Sequence, residues 1–367
     1  MTLDRRSFVT GAVAAGTAAA SSLPKPAIAQ NRIEWSMVTS WPKGLPGLGT
    51  GAERVARRIE ALSDERIKIK VYAGDEIVPA LQVFDAVSRG TAQIGHDAAY
   101  YHTGKTRAAA FFTAVPFGMT ANELAGWIHW GGGQELWDRA YEPFDIKPFL
   151  CGNTGTQMGG WYKKEINEPS DFNDLKIRMP GQGGEVVSKL GATVVLLSGK
   201  QIFQNLQTGA IDAAEWVGPY NDLALNFYQV AKYYYYPGFH EPGAGLECLI
   251  NKGAYEDLPE DLKEIVRVAA EAENDIMWAE YQAKSANALR ILVEQHGVQL
   301  RQYPRAVLKA LGDASGQLVR DLMEDEDPIT AETARAFVTA RADAMRFSRI
   351  SEQAMLNSRL LRFDYPR

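Results

Sequence analysis

The chain has 367 residues, 46% of them hydrophobic and 23% charged, and its formal net charge is −6. This length and apolar content allow one large core or two lobes. The acidic balance, without a cluster of basic residues, excludes nucleic acid and anionic lipid as expected partners.

The first 29 residues have the pattern of an export signal. Arg5 and Arg6 stand in DRRSFVT, and an Ala/Gly/Val run and the small-residue sequence AIA follow. The run is too short and too rich in small residues to span a membrane, and a disordered tail would not explain the paired arginines. We therefore predict a twin-arginine signal peptide over residues 1–29, cleavage before Gln30 and export of the folded protein to the periplasm.

Two later segments of the chain resemble each other. QVFDAVSRGTAQIGHDAAYY begins at Gln82, and QIFQNLQTGAIDAAEWVGPY begins at Gln201. In each, apolar residues at helical spacing lead to a glycine, Gly90 or Gly209, that suits a helix C-cap, and a buried strand is expected next. The β-rich segments IKIKVYAG and ATVVLLSG precede them. This repeated order predicts an α/β protein with two doubly wound lobes around a ligand cleft.

The ends of the repeated strands are expected to meet at the cleft, because ligands bind beyond the carboxyl ends of the strands in open α/β sheets. One wall would carry the polar and aromatic residues His96, Asp97, Tyr100 and Tyr101. The other wall would carry Glu215, Trp216 and Tyr220.

The C-terminal third differs in pattern from the repeats. It is continuously helical in propensity from Pro259 to a stop at Gly297. Such a helix exceeds the diameter of one lobe, so it either spans both lobes or reaches a second subunit in a homodimer. We divide the mature chain into lobe I (30–150 and 243–265), lobe II (151–242), the long helix (259–297) and a helical C-terminal region (298–367).

Cys151 and Cys248 are the two cysteines of the chain. An oxidising compartment would permit a disulfide between them, but two cysteines alone do not establish one. We favour two buried free thiols.

Motifs of catalysis are absent from the sequence. It has no G-x-S-x-G elbow, no H-E-x-x-H pair and no Walker loop. The five histidines are scattered, and His96 is interpreted as a hydrogen-bonded cleft or core residue rather than a general base. GQGG at 181–184 would either cradle an anion at a helix N-terminus or form a tight turn. We therefore expect a binding protein rather than an enzyme.

Several residues suit a small anionic ligand. Arg178 ends a β-like segment beside a turn, where a guanidinium holds a carboxylate through two hydrogen bonds better than a lysine does. Asn153 and Gln157 add neutral amides in CGNTGTQMGGWY. Glu215 and Glu241 add carboxylates in two segments rich in aromatic residues and glycine.

Two segments of the chain resemble the solute-binding subunits of tripartite ATP-independent periplasmic (TRAP) transporters. They are LKIRMPGQGGEVVSKLGATVV and QNLQTGAIDAAEW. The resemblance extends from TSWPK to the long helix. Three further motifs resemble the branch of this family that binds 2-oxo acids such as pyruvate, or lactate, with a metal cation. They are GNTGTQMGGW, AEWVGPYND and YYYYPGFHE. The resemblance implies a two-lobed protein, similar to the type II periplasmic binding proteins, that closes on a monocarboxylate and delivers it to a membrane permease.

The same resemblance implies a role for each site residue. Arg178 would grip the substrate carboxylate, and Asn153 and one of the two tyrosines would bond its oxygens. The full implied substrate-binding set is Tyr100, Tyr101, Asn153, Gln157, Arg178 and Trp216. The implied ligands of the cation, Na⁺ or Ca²⁺, are Gln157, Glu215, the carbonyl of Trp216 and Glu241. His240 departs from the aromatic residue expected before Glu241, which bears on the choice of substrate.

Charge counting agrees with a cation at this site. Arg178 carries one positive charge, whereas Glu215, Glu241 and a bound monocarboxylate together carry three negative charges. Two uncompensated charges are costly in a site that closes away from water. Na⁺ would leave one of them and Ca²⁺ none, and both cations prefer oxygen ligands. A sensory binding module and a metal-dependent enzyme acting on a hydroxy or keto acid remain alternatives.

Overall fold

Two β-sheets organise residues 32–365, the part of the chain that the computed structural model describes. The predicted signal peptide and its cleavage site lie outside the described residues. The strands are β1 (Ile33–Thr39), β2 (Ile67–Tyr72), β3 (Ile94–Asp97), β4 (Ile146–Asn153), β5 (Gly160–Tyr162), β6 (Lys176–Arg178), β7 (Thr193–Val195), β8 (Ala213–Ala214), β9 (Tyr233–Tyr236), β10 (Gly245–Asn251) and β11 (Gln299–Gln302). The first sheet has the order β2-β1-β3-β10-β4 and the second the order β11-β9-β5-β8-β6-β7.

Helices cover these sheets and form most of the C-terminal third. The α-helices are α1 (Leu48–Leu62), α2 (Val83–Ser88), α3 (Ala110–Thr113), α4 (Ala121–Trp130), α5 (Gly133–Tyr141), α6 (Gly181–Lys189), α7 (Gly199–Thr208), α8 (Pro219–Ala224), α9 (Lys252–Glu256), α10 (Glu260–Glu294), α11 (Arg305–Met323), α12 (Pro328–Ser348) and α13 (Glu352–Ser358). A short 3₁₀ turn, Ala99–His102, follows β3. Within residues 32–365, every helix is too short or too polar to cross a membrane.

The predicted repeat is visible in the topology of both sheets. In the first sheet β2 and β3 flank β1 and run parallel to it, and in the second sheet β7 and β8 flank β6 in the same way. Helices α1 and α2 connect the first set of strands, and α6 and α7 connect the second. Each lobe is therefore built on a doubly wound α/β unit, as the sequence predicted.

Local sequence signals end and start the helices of these units. Gly90 and Gly209, which follow α2 and α7, have φ angles of 70° and 80°, in the left-handed region that glycine adopts at little cost. At the start of α7, the backbone N–H of Ser198 donates to Oε1 of Gln201 (3.1 Å), which is half of a capping box. The matched positions of the two segments thus have matched structural roles.

The lobes exchange strands. β10 comes after the second lobe in the chain but lies antiparallel between β3 and β4 of the first sheet. β5 comes after β4 but lies antiparallel between β8 and β9 of the second sheet. β4 continues in the first sheet to Asn153, past the predicted boundary at residue 150. β11, in the region predicted as helical, is an edge strand of the second sheet.

Helix α10 spans both lobes of the same chain. Its 35 residues extend over about 50 Å, and it packs on β4 and α1 of the first lobe and on α8 of the second. Its Tyr281 donates to the side chain of Asn221 in α8 (2.7 Å). The amide of Asn221 in turn donates to the carbonyl of Pro46 in the first lobe (2.6 Å). The long helix therefore supports the junction at which the lobes meet.

The two cysteines are buried free thiols, as predicted. Cys151 lies in β4 and Cys248 in the neighbouring strand β10. Burial is the largest cause that raises the pKa of the Cys151 thiol well above its ordinary value. An uncharged, buried thiol is a poor nucleophile and packs as a small apolar residue.

Candidate functional site

Arg178 is the last residue of β6 and lies at the carboxyl end of the second sheet, fully buried. Its Nη1 donates to the carboxylate of Glu215 and to the Glu215 carbonyl (3.0 Å), and its Nε donates to the carbonyl of Leu197 (3.1 Å). Its Nη2 faces the hydroxyl of Tyr101 at 3.4 Å. The guanidinium carbon lies 5.0 Å from the centre of the Trp216 ring. These contacts hold the guanidinium in one pose, with Nη2 turned toward the first lobe.

Arg178 stays charged in this buried position. Burial lowers its pKa, but attraction to Glu215 and to the two tyrosines outweighs burial and raises the pKa above its ordinary value. Glu215 is also fully buried. Removing either partner would leave a buried charge without its counter-ion, which typically costs about 3–5 kcal/mol.

Glu215, His240 and Glu241 form a buried group whose potential metal-ligand atoms all lie within 4.8 Å of one another. His240 Nε2 donates to Glu215 Oε2 (3.0 Å) and lies 3.9 Å from Glu241 Oε1. Burial and repulsion by Glu215 raise the pKa of Glu241 well above its ordinary value, and Arg178 offsets this only in part. Burial and Glu215 thus disfavour the ionised form of Glu241, and a nearby cation would favour it.

Unsatisfied oxygen atoms at the same wall fit a hard cation. Gln157 Oε1 and Glu241 Oε2 are buried, and neither has a hydrogen-bond donor among the described residues. The Gln157 amide is oriented by its own Nε2, which donates to Thr154 Oγ1 (2.9 Å). Because amide and carboxylate oxygens only accept, a cation such as Na⁺ or Ca²⁺ would satisfy both at once.

Asn153 offers a donor rather than an acceptor. Its Oδ1 accepts from the backbone N–H of Gly155 (2.8 Å), whereas its buried Nδ2 has no acceptor within residues 32–365. Asn153 ends β4 directly before Thr154, which lines a cavity between the lobes. A buried amide hydrogen without a partner suits an oxygen of a carboxylate or a 2-oxo group.

The 3₁₀ turn after β3 forms the wall on the first lobe. Its Tyr100 and Tyr101 rings pack edge to face, with centres 4.8 Å apart. Burial is the main cause that raises the pKa of both phenols above their ordinary value of 10.0. Both hydroxyls therefore keep their protons at neutral pH and are able to donate to an anionic ligand.

The GQGG segment permits close contact between the two walls. Gly181 has a φ of 56°, and a Cβ there would lie 2.9 Å from the Cβ of Tyr100. A Cβ at Gly183 would lie 2.8 Å from the Cβ of His240. The start of α6 thus approaches both the tyrosine turn and the metal-ligand group because it lacks side chains there. GQGG forms the first turn of α6 rather than a separate tight turn, and an anion at this helix N-terminus stays a prediction.

A small cavity lies between the two walls. Its polar lining includes Gln157 and Thr154, beside the Tyr100 and Tyr101 rings. The remaining lining residues are apolar or aromatic: Trp41, Leu48, Trp216, Val217 and Leu246. A ligand with a charged head and a short aliphatic side chain matches this division.

Besides Glu215, which pairs with Arg178, three residues predicted at the cleft do not line this cavity. Trp41 Nε1 donates to His96 Nδ1 (2.7 Å), and His96 Nε2 donates to the carbonyl of Cys151 (2.9 Å), which fixes His96 as a core residue. Burial lowers the pKa of His96 to about 4. Asp97 is buried inside the first lobe, and Tyr220 donates to Glu280 of α10 (2.9 Å). For these three, tertiary packing turned the side chain away from the cavity.

The structure also adds residues that the sequence prediction did not assign to the site. His240 was noted only as a departure from the family pattern, although its place next to Glu241 was a signal. Trp41 lies in TSWPK, a segment included in the resemblance but given no role. The predicted substrate and metal residues Arg178, Glu215 and Trp216 are brought together here; their individual roles stay predictions.

The comparison with known proteins decides the family. The model of the family described as bacterial extracellular solute-binding protein, family 7, matches residues 38–326. The chain belongs to this family. A monocarboxylate 2-oxoacid-binding periplasmic protein of a Nostoc species is 45% identical to this family 7 protein over 278 residues, which are 76% of each chain.

Two solved structures of TRAP periplasmic solute-binding proteins are similar to the family 7 protein. One, from Pseudoalteromonas atlantica with bound sodium and pyruvate, has a TM-score of 0.86 and 36% identity and covers 89% of this chain and 99% of its own. The other, from Colwellia psychrerythraea with bound calcium and pyruvate, has a TM-score of 0.86 and 37% identity over the same shares. The predicted family and two-lobed fold are confirmed.

Proposed function

We propose that this family 7 protein captures a 2-oxo or 2-hydroxy monocarboxylate, such as pyruvate or lactate, together with Na⁺ or Ca²⁺, and delivers it to TRAP permease subunits in the membrane. The observation that carries the proposal is the buried pair Glu215 and Glu241 beside a single Arg178. Acceptor oxygens of Gln157 and Glu241, which have no donor among residues 32–365, support it. Such a wall suits an anion only when a cation arrives with it.

The chemistry of the cavity supports a small acid. Arg178 Nη2, the Tyr101 hydroxyl and the Asn153 amide are donors for the carboxylate and the 2-oxygen. The apolar lining suits the methyl group of pyruvate or lactate better than a second carboxylate, which would be buried without a partner. The similarity to proteins whose names or structures include 2-oxo acids supports the same ligand class.

The metal-binding residues in this proposal are Gln157, Glu215, Glu241 and the carbonyl of Trp216. A bound Na⁺ or Ca²⁺ would neutralise the carboxylates and offer open coordination positions to the ligand's own oxygens. Arg178 orients the ligand carboxylate, and the tyrosine turn closes over it and excludes water. The ligand then shifts the equilibrium between open and closed lobes by contacting both walls at once.

The place of action follows from the leader sequence and the family. We infer export through the twin-arginine signal to the periplasm, with binding and no chemical conversion of the ligand. Recovery of unchanged pyruvate after long incubation with the pure protein is the expected result. A converted product would favour the enzyme alternative.

We also infer a homodimer, because the C-terminal segment leaves an apolar surface uncovered. Its exposed large apolar residues are Phe347, Ile350, Met355, Leu356, Leu360 and Leu361. A single chain leaves these residues in water, whereas a second copy would bury them. Light scattering should show a dimer, and the double substitution Leu360→Asp and Leu361→Asp should shift it toward monomer.

The decisive experiment is calorimetric titration of the mature, metal-stripped protein with pyruvate and with lactate, each without metal and with Na⁺ or Ca²⁺. Tight binding that appears only with one cation would support the shared site and identify the metal. Binding that ignores both cations would leave Arg178 as the ligand site and remove the metal from the proposal. A failure to bind either acid would show that the ligand class is wrong.

A further inference from the structure

A second buried cluster of titratable groups lies inside the first lobe, behind the tyrosine turn. Ligand atoms of Asp97, His102 and Glu247 lie within 4.8 Å of one another, and all three residues are at most 4% exposed. None of them lines the cavity. The cluster therefore needs an explanation other than direct ligand contact.

The carboxylate of Asp97 ties together the two ends of the turn that carries the tyrosines. Its Oδ1 accepts from the backbone N–H of Ala98 (2.7 Å), directly before the turn, and from Ser40 Oγ (2.7 Å). Its Oδ2 accepts from Nε2 of His102 (2.8 Å), the last residue of the turn. One side chain thus fixes where Ala99–His102 starts and where it ends.

His102 is held in its pose from other sides as well. Its ring packs against Phe84, with ring centres 4.6 Å apart. Glu247 is paired with Asp97 across β10 and β3, and its Oε1 lies 3.7 Å from His102 Nε2 without a hydrogen-bond partner in the described chain. Its Oε2 accepts from the hydroxyl of Tyr141 (3.0 Å). The His102 donor therefore serves Asp97, because Asp97 Oδ2 lies at 2.8 Å from Nε2 and Glu247 Oε1 at 3.7 Å. Burial and the charge of Asp97 also raise the pKa of Glu247 well above its ordinary value.

The turn held in this way makes close contact with the second lobe. The Tyr101 hydroxyl lies 3.4 Å from Arg178 Nη2. Tyr100 packs so closely on Gly181 that a methyl group would not fit between them. A small movement of the turn would therefore change the position of both hydroxyls relative to Arg178, and hydrogen bonds weaken steeply with distance and angle.

We propose that His102 is a positioning residue of the ligand site: through Asp97 it fixes the Tyr100–Tyr101 turn, and so sets how tightly the first lobe grips the ligand. This inference rests on the proposed function. His102 is not among the proposed ligand or cation residues: its ring lies between Asp97, Glu247 and Phe84 inside the first lobe and does not line the cavity. The loss of His102 should weaken ligand binding without changing how strongly the cation assists it.

The test compares wild type, His102→Leu, His102→Gln and Tyr141→Phe as mature full-length proteins. Pyruvate dissociation constants are measured by calorimetry at two concentrations of whichever cation supports binding, and melting temperatures are measured in parallel. Gln places an amide donor where His102 Nε2 stands. Tyr141→Phe is the matched control, because it removes a donor from the same cluster on the side away from the turn.

We expect His102→Leu to weaken pyruvate binding about 10-fold, the loss of roughly one positioning hydrogen bond. In His102→Leu, the ratio between the pyruvate dissociation constants measured at the two cation concentrations should be the same as in wild type. His102→Gln should recover most of the affinity, and Tyr141→Phe should lower the melting temperature and leave the affinity unchanged.

Unchanged affinity in His102→Leu would overturn the proposal, as would an altered cation ratio or a folded His102→Gln that binds as weakly as a leucine variant. If His102→Leu fails to fold, His102→Phe takes its place, because it keeps a ring against Phe84 and lacks the donor, and the same outcomes decide. A wild-type protein that binds no pyruvate would instead overturn the proposed function, and this inference with it.

Discussion

The two walls of the cavity are built on the same α/β unit but differ in charge. The wall on the second lobe holds Arg178, Glu215 and Glu241, all buried. The wall on the first lobe presents two protonated tyrosines, held from behind by Asp97 and its donors. A buried charged wall accepts only ligands that supply the correct counter-charges, whereas a neutral wall accepts many ligands. Under the proposed function, the second lobe would therefore select the ligand, and the first lobe would control how firmly it is enclosed.

The contrast also shows how neighbours change the use of equivalent positions. His96 and Asp97 end β3, and Glu215 and Trp216 follow β8, at the same edge of their sheets. The first pair is held inside the lobe by donors such as Trp41, whose Nε1 donates to His96. In the second pair, Glu215 binds Arg178 and Trp216 lines the cavity. The repeated topology sets the position, and the surrounding side chains set the chemistry.

The largest effect is expected at Arg178. Arg178→Ala should weaken pyruvate binding more than about 100-fold, because it removes the carboxylate donor and leaves Glu215 buried without its counter-ion. Calorimetry measures the affinity, and circular dichroism checks the fold. Arg178→Lys should keep the fold and recover little affinity, since an ammonium lacks the paired donors. Wild-type affinity in a folded Arg178→Ala would remove Arg178 from the site.

The next largest effect should come from the cation-binding residues. Glu241→Gln should weaken binding of the ligand and of the cation together, each by about 10–100-fold, because both share the neutralised site. Glu185→Gln is the matched control, since Glu185 lies in α6 and its carboxylate pairs with Arg107 instead. Separate effects of Glu241→Gln on the two affinities would break the idea of a shared site.

A buried acid of the second lobe should make stability depend on pH. Burial raises the pKa of Asp222 from 3.8 to about 7, although Tyr234 and Trp161 donate to it. Between about pH 4 and 7 the folded state keeps this proton and the unfolded state releases it, so the free energy of unfolding falls as pH rises. The free energy of unfolding falls by at most about 4 kcal/mol through this group.

Asp222→Asn should remove this part of the pH dependence. Denaturant unfolding at pH 5 and at pH 8 measures it, with exposed Asp257→Asn as control. An unchanged difference between the two pH values in Asp222→Asn would show that the folded protein holds Asp222 ionised.

The smallest effect is expected at the first lobe. Tyr101→Phe should weaken pyruvate binding about 5–10-fold, the value of roughly one ordinary hydrogen bond. Tyr220→Phe should leave the affinity unchanged, because the Tyr220 hydroxyl donates to Glu280 and not into the cavity. A loss at Tyr101 as large as that at Arg178 would contradict the division of roles between the walls.

Much of the fold could be predicted because local patterns are repeated. The glycine caps at Gly90 and Gly209, the helical spacing before them and the apolar strands after them act over a few residues. The strand exchange of β5 and β10 could not be predicted in this way, since pairing between strands far apart in the chain leaves no local signal. The same holds for β11, a short strand inside a helical region.

The candidate site was predicted unevenly for a similar reason. Arg178, Glu215 and Glu241 were identified because charged residues at strand ends and beside glycine-rich turns are unusual in a buried sheet. His240 and His102 were not identified, because the role of a histidine depends on which groups surround it in the folded protein.

The amino-acid sequence by itself determined the repeated α/β units, the long helix and the family, and it predicted a set of charged and amide residues for an anion and a cation. Those properties depend on composition and spacing within short segments. Only the tertiary structure decided that Asp97 binds His102 and that Glu215 binds Arg178, although both are acids at strand ends. The reason is physical: a buried carboxylate is defined by which donors reach it, and those donors come from distant parts of the chain.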